Sequence, residues 1–262
     1  MILREFLPPP MLADVVSGIT VLQVEHLSGE WDVPLVAKAM PSIVYQCSGG
    51  SARLVLYGQN VAPILVRAAG HLTLIAWFLK PHRLGPLFGL RADEVTDLCM
   101  GLEDWPHARK VGLMERLGLA GELGSAALNE RLRLMEEFVV GLCAVAREGN
   151  VVAGYATQVI AANNGWGALR SLQEELRVTE RSLQRLFAEH VGVSPKAYSR
   201  ICQFQPAFRQ LSMGEFSRLS DIAYDNGYAD QSHLIRVFRQ FTGCTPKEYL
   251  ARTTAFLAGL KG

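Results

Sequence analysis

Two short stretches near the carboxyl end carry side chains whose donors and acceptors come in pairs: Arg181, Gln184 and Arg185 in one, Gln231, Ser232 and Arg236 in the other. Arginine offers a planar fork of N–H donors, and glutamine offers an amide that donates on one side and accepts on the other. These groups match the paired edges of guanine and adenine in the major groove of double-stranded DNA. A groove about 12 Å wide admits one helix, so each set must share a helix face. The spacing meets that demand. Arg181, Gln184, Arg185 and Ala188 fall at i, i+3, i+4 and i+7, opposite Leu183, Leu186 and Phe187, while Gln231, Ser232, Ile235, Arg236 and Arg239 stand opposite Leu234, Val237, Phe238 and Phe241. Every exposed helix face is polar, so one such helix alone is weak support.

The elements that must position these faces are duplicated. A shift of 51 residues lays Leu183, Arg185, Phe187, Gly192, Pro195, Lys196 and Tyr198 on Leu234, Arg236, Phe238, Gly243, Pro246, Lys247 and Tyr249, with Leu186/Val237 and Ser194/Thr245 as conservative pairs. Such self-similarity marks a repeated supersecondary unit. Each unit reads as a short helix, a turn, a second helix, a glycine stop and a new helix start. Ser194-Pro195 and Thr245-Pro246 are a capping residue followed by proline at the first helical position, and Thr245 with Glu248 completes a capping box. Thr179 caps the first polar-faced helix. Ile222-Ala223 followed by Asn226-Gly227 supplies the first helix and tight turn of a helix-turn-helix. Two such units bridged by a helix suit successive grooves on one side of a duplex, about 34 Å apart.

Thr179 to Pro195, and Ile222-Ala223 to Gly227-Tyr228-Ala229-Asp230-Gln231-Ser232-His233-Leu234 and on to Thr245-Pro246, resemble the DNA-binding domain of AraC/XylS-type transcription regulators over about Val152 to Leu250. The resemblance implies two helix-turn-helix motifs, with Arg181, Gln184, Arg185, Gln231, Ser232 and Arg236 as the base-reading positions. Four residues depart from the family pattern. Arg177 stands where the first turn usually has Gly, Gln173 where the preceding helix has a small residue, and Gln203 where the bridging helix has Arg. Pro206 lies inside the bridge, where it removes a hydrogen bond at a cost of about 3 kcal/mol unless it makes a kink.

The amino half has a different texture. Thr20–Leu27, Val33–Ala39, Ile43–Cys47, Ala52–Tyr57, Ala62–Ala68 and Leu72–Leu79 are short apolar or alternating runs separated by Ser28-Gly29, Pro41, Ser48-Gly49-Gly50-Ser51, Gly58 and Gly70. That spacing predicts a small antiparallel barrel or sandwich. Pro41, Gly58, Phe78-Leu79-Lys80-Pro81 and Leu87-Phe88-Gly89 resemble, more weakly, the barrel domain that precedes the reader in one subgroup of the same regulators. The predicted fold class is therefore α+β: a small cupin-like barrel with helices over residues 1–150, an all-α domain with two helix-turn-helix motifs over 151–254, and a tail at 255–262. Leu128, Leu132, Met135, Val139, Leu142 and Ala146 repeat at intervals of 4 and 3, a heptad-like seam with Glu130, Arg131, Arg133, Glu136 and Glu137 off it. That seam either packs on its own barrel or forms a homodimer.

The resemblance implies a small-molecule effector for the barrel; Trp31, Tyr45, Tyr57, Trp77 and Phe78, aromatics on its strands, either line a pocket or, as strand aromatics more often do, fill the core. His26, His71 and His82 lack the spacing of a metal site, and the sequence has no G-x-S-x-G, P-loop or dinucleotide fingerprint, so no cofactor or catalytic machinery is expected. An alternative stays open: a ligand-binding or catalytic barrel whose helical half is an interaction module. The 262 residues fit two domains, and 49% apolar with 19% charged residues excludes general disorder. The net charge of +1 hides a division: residues 151–254 hold 12 Lys/Arg against 9 Asp/Glu, and the remainder 14 against 16. Five scattered cysteines without a C-x-x-C fit buried reduced thiols, and no segment reads as a signal or membrane span, which points to the cytoplasm.

Overall fold

The computed structural model describes residues 2–120 and 124–259. The amino-terminal part is built on a six-stranded antiparallel sheet comprising β1 (Ile2–Phe6), β2 (Val16–Leu35), β3 (Ser42–Ser48), β4 (Ser51–Tyr57), β5 (Ile64–Leu79) and β6 (Cys99–Gly101), in spatial order β1-β2-β5-β3-β4-β6. The sheet is open, with β1 and β6 at its edges, so it is a barrel in curvature rather than in closure. Among the described residues four α-helices lie with it: α1 (Leu84–Phe88), α2 (Pro106–Lys110), α3 (Leu113–Leu119) and α4 (Ser125–Ala144).

Two pairs of the predicted runs are single long strands. β2 and β5 pair from Val16↔Leu79 to Leu35↔Ile64, and the expected turns at Ser28-Gly29 and Gly70 are irregularities within this ladder, where Leu27 stands opposite Gly70. Gly29 (φ +86°) and Gly70 (φ +68°) occupy the left-handed region that such bulges use. The strands bend there without ending, so Val66 and Ala68 come over Val44, Val55 and Leu74 in one apolar cluster. The opposite face, carrying Ile19, Val21, Ile43, Tyr45, Ile75 and Trp77, is covered by the helices.

The heptad-like seam is occupied within the subunit. Leu128, Met135, Val139 and Leu142 are buried with Leu134 and Phe138 against the sheet and α3, and Leu132 is packed at the cluster's margin. A homodimer through this face is thereby corrected, because these side chains are not available to a second chain. Arg131, placed off the seam, is also buried, its guanidinium 5.4 Å over the Tyr45 ring. The pocket candidates divide likewise. Tyr45 and Trp77 lie under the helices, while Trp31, Tyr57 and Phe78 belong to the other face. All five cysteines are free thiols; Cys47 and Cys244 are buried as expected, whereas Cys143 and Cys202 are half-buried and Cys99 is exposed.

The remainder is helical: α5 (Val151–Ala162), α6 (Ala168–Leu176), α7 (Glu180–Val191), α8 (Pro195–Met213), α9 (Leu219–Asp225), α10 (Gln231–Thr242) and α11 (Pro246–Gly259). One core joins them through Leu183, Phe187, Ile201, Phe204, Leu234 and Phe238, and it takes in Ala37 and Ala39 from the segment after β2. No helix among the described residues is long and apolar enough to cross a membrane.

Candidate nucleic-acid interface

The 51-residue period is a period of structure. α6, α7 and α8 begin at Ala168, Glu180 and Pro195, and α9, α10 and α11 begin at Leu219, Gln231 and Pro246. The local chemistry repeats as well. Thr179 caps α7 by accepting from the Ser182 N–H at 3.2 Å, and Asp230 caps α10 by accepting from the His233 N–H at 2.6 Å. Both helices run 12 residues and stop at a left-handed glycine, Gly192 or Gly243. Ser194 accepts from the Ala197 N–H to start α8. At the start of α11, Thr245 accepts from the Glu248 N–H while the Glu248 carboxylate accepts from the Thr245 N–H, the predicted reciprocal box.

On these two helices Arg181, Gln184 and Arg185, and Gln231, Ser232 and Arg236, are all exposed, while Leu183 and Phe187, and Leu234, Val237, Phe238 and Phe241, are buried. Gln184 Nε2 donates to the Glu180 carboxylate at 3.0 Å. Arg91, Arg116, Arg133 and Arg170 are all ion-paired; among the described residues no carboxylate lies within 4.0 Å of Arg181, Arg185 or Arg236. Unpaired exposed arginines on a face that enters no core are available to phosphates and base edges.

The parts that depart from the family pattern are structured locally. Arg177 ends α6 in the left-handed conformation (φ +52°), the role a glycine usually fills. Gln203 Nε2 donates to the Gly165 carbonyl at 2.9 Å, and the Tyr228 hydroxyl donates to the Gln203 carbonyl at 3.2 Å. The bridge, the loop after α5 and the second turn are thus one hydrogen-bonded unit, closed by Trp166 edge-on to Tyr228 at 6.3 Å. α8 continues through Pro206 without a break. Phe204 and Phe208 flank the proline and pack on Phe238, Phe241 and Tyr249, with ring centroids 5.1–6.0 Å apart, which holds the bridge against the second motif.

How the reader meets the sheet domain is visible only in the fold. Thr96 Oγ1 donates to the Gly192 carbonyl at 2.7 Å, and Asn150 Nδ2 lies 3.1 Å from His190 Nε2. Gln205 Nε2 donates to the Ala37 carbonyl. The carboxyl end of α7 is therefore anchored on the amino-terminal domain, and its Arg/Gln-bearing amino half is not.

A helix-turn-helix domain family matches residues 172–252. Over 76 residues the chain is 36% identical to the transcriptional activator RhaR of Yersinia pseudotuberculosis, covering 29% of this chain and 26% of that one. It is 30% identical over 89 residues to the transcriptional regulator NimR of Escherichia coli, covering 34% and 32%. The chain thus spans about a quarter to a third of the length of these curated relatives. The carboxyl-terminal domain is a helix-turn-helix domain. Across nearly the whole chain the fold is similar to that of ToxT from Vibrio cholerae, with a TM-score of 0.50, 14% identity, and coverage of 89% of this chain and 97% of that one. One ToxT structure, with a TM-score of 0.50 and 13% identity, holds an unsaturated fatty acid.

Proposed function

We propose that this protein is a sequence-specific DNA-binding transcription regulator, not an enzyme, acting in the cytoplasm and answering to a small-molecule effector taken up by its amino-terminal domain. The observation that carries the reading is the pair of duplicated 12-residue helices, each presenting an exposed face with unpaired arginine at the same repeat position, Arg185 and Arg236. Arg181, Gln184, Arg185, Gln231, Ser232 and Arg236 supply the base contacts, and the exposed cations around them meet phosphates. The activator and regulator named among the relatives support the DNA-binding half of the reading, and the fatty-acid-bound neighbour supports the effector half.

Selection of bound sites from random duplex DNA tests it. Arg185→Ala and Arg236→Ala each weaken binding to the selected site by about 1 to 3 kcal/mol and relax preference at one position, because each removes a bidentate base contact. Unchanged affinity in both variants overturns the assignment.

A further inference from the structure

One row of side chains across the helix-covered face of the sheet is polar. Gln23 of β2 stands directly opposite Thr73 of β5, and Thr73 stands directly opposite Cys47 of β3. Opposed residues of antiparallel strands share a face, with Cβ atoms about 4.5–5.5 Å apart, so the three side chains stand next to one another. Cys47 belongs to the core under the helices, which fixes that face for all three. Gln23 is 4% exposed and Thr73 is fully buried, yet Gln23 Nε2 and Thr73 Oγ1 have no hydrogen-bond partner among the described residues. A buried polar group left in this state costs about 1–3 kcal/mol. Two of them in one row are donors set out for an acceptor from outside the chain.

The row ends on a nucleophile with a base beside it. Cys47 Sγ lies 3.6 Å from His71 Nε2. Tyr45, two residues along the same face, sets its hydroxyl against Cys47 and its ring 5.4 Å under the Arg131 guanidinium. Cys47 keeps 9% of its surface and His71 is half-buried, next to the turn between β3 and β4, so a small molecule reaches the pair from that end of the sheet. A base within reach takes the thiol proton as sulfur attacks. Donors placed where negative charge develops stabilise an oxyanion. The donors select the reagent: a peroxide releases its charge at the sulfur and makes no use of groups one and two strands away, whereas a conjugated carbonyl carries the charge a few bonds off, to its oxygen.

We propose that Cys47 is a covalent modification site for α,β-unsaturated carbonyl compounds, with His71 as the base and Thr73 and Gln23 as donors to the carbonyl oxygen. The sulfur bonds to the β-carbon while the S–H proton passes to His71 Nε2. The C=C electron pair moves towards the carbonyl, and the resulting enolate oxygen accepts from Thr73 Oγ1 and Gln23 Nε2. His71 then returns the proton to the α-carbon. The product is a thioether that keeps every atom of both reactants, with no net oxidation or reduction. This site goes beyond the effector and DNA-binding readings and rests on neither.

The full chain is treated with 2-cyclohexenone or with iodoacetamide, and adducts at Cys47 and at the exposed Cys99 are timed by peptide mass spectrometry. Iodoacetamide places its developing charge on the departing iodide, so it serves as the reagent that needs a thiol and no oxyanion donor. Cyclohexenone labels Cys47 about tenfold or more faster than Cys99, and Thr73→Val and Gln23→Leu each cut that rate by about tenfold or more. Both substitutions leave the iodoacetamide rate at Cys47 unchanged, and both put an apolar group where a buried donor had no partner, which the fold tolerates. His71→Gln slows both reagents at Cys47 and neither at Cys99. A Cys47 no faster than Cys99 with the enone, an enone rate that neither Thr73→Val nor Gln23→Leu lowers, or an equal slowing of both reagents by those two variants overturns the proposal.

Discussion

Gly192 and Gly243 occupy the same place in the two repeats, 51 residues apart, and both rest against the amino-terminal domain. A Cβ on Gly192 would lie 2.5 Å from Thr96 Oγ1 and 2.7 Å from the Ala92 carbonyl oxygen, and one on Gly243 would lie 3.3 Å from Pro63 Cγ. Both reading helices thus turn their carboxyl ends to the sheet domain. Their amino-terminal halves, where most of the candidate base-reading side chains stand, lead away from it.

This arrangement predicts unequal costs for equal substitutions. Gly243→Ala meets the left-handed backbone penalty, about 1–2 kcal/mol, with a contact that a small shift relieves. Gly192→Ala meets the same penalty and also collides with the Ala92 main chain, which must move and release the Thr96 bond, a further loss of about 0.5–1.5 kcal/mol. Urea unfolding of the two variants compares them. Equal costs would mean that the domain contact at Gly192 contributes nothing to stability.

Arg177 predicts a gain. It is exposed, it holds a left-handed conformation at φ +52° and ψ +40°, and its backbone N–H closes α6 onto Gln173 and Glu174. Glycine keeps that bond and removes the clash of Cβ, so Arg177→Gly stabilises the protein by about 1 kcal/mol. Arg177→Ala retains Cβ and gives no such gain. Thermal melts of the pair distinguish backbone relief from the loss of a surface charge.

Another domain contact belongs to the last helix. Phe256 of α11 meets Trp31 of β2 edge-to-face, with ring centroids 5.4 Å apart and planes at 81°. Phe256→Ala forfeits a ring pair worth about 0.5–1.5 kcal/mol beyond its buried area and opens Trp31 to water. The emission of Trp31, obtained as the difference between Phe256→Ala and Phe256→Ala/Trp31→Phe, shifts to longer wavelength relative to the corresponding difference for the parent. An unshifted spectrum shows that the contact does not shield Trp31 in solution.

The carboxyl half was legible because its information is local. Caps such as Thr179 and Ser194, stops such as Gly192 and Gly243, and the apolar stripe Leu183–Phe187 are set by residues a few positions apart, and the duplication shows each of them twice. The amino half depends on distant pairing. Gly29 and Gly70 carry the signature of turns, and only the ladder between β2 and β5 makes them bulges in a continuous strand pair. α4 presents a seam that suits either a second helix or its own sheet, and periodicity does not distinguish these. The domain contacts were invisible for another reason: the carbonyls of Ala37 and Gly192 accept two of the hydrogen bonds between the domains, and main-chain atoms leave no trace in a side-chain pattern.

His82 gives the domain junction a dependence on acid. Its folded midpoint, about 4, lies below the ordinary 6.5, owing to burial first and then to Arg83, Lys80 and His190. Between those two values the unfolded chain takes up a proton that the folded chain refuses, so stability rises with pH across this window. Above about 6.5 both states are neutral and the group contributes no slope. The expected outcome is a melting temperature that falls as pH is lowered from 6.5 towards 4, with a smaller fall in His82→Gln. Asp14, Lys80 and Arg83 face the same cleft in parent and variant alike, so the difference between the two isolates the imidazole. A parent and variant with the same pH profile, in buffers free of phosphate and carboxylates, would show that His82 is not held neutral among those cations.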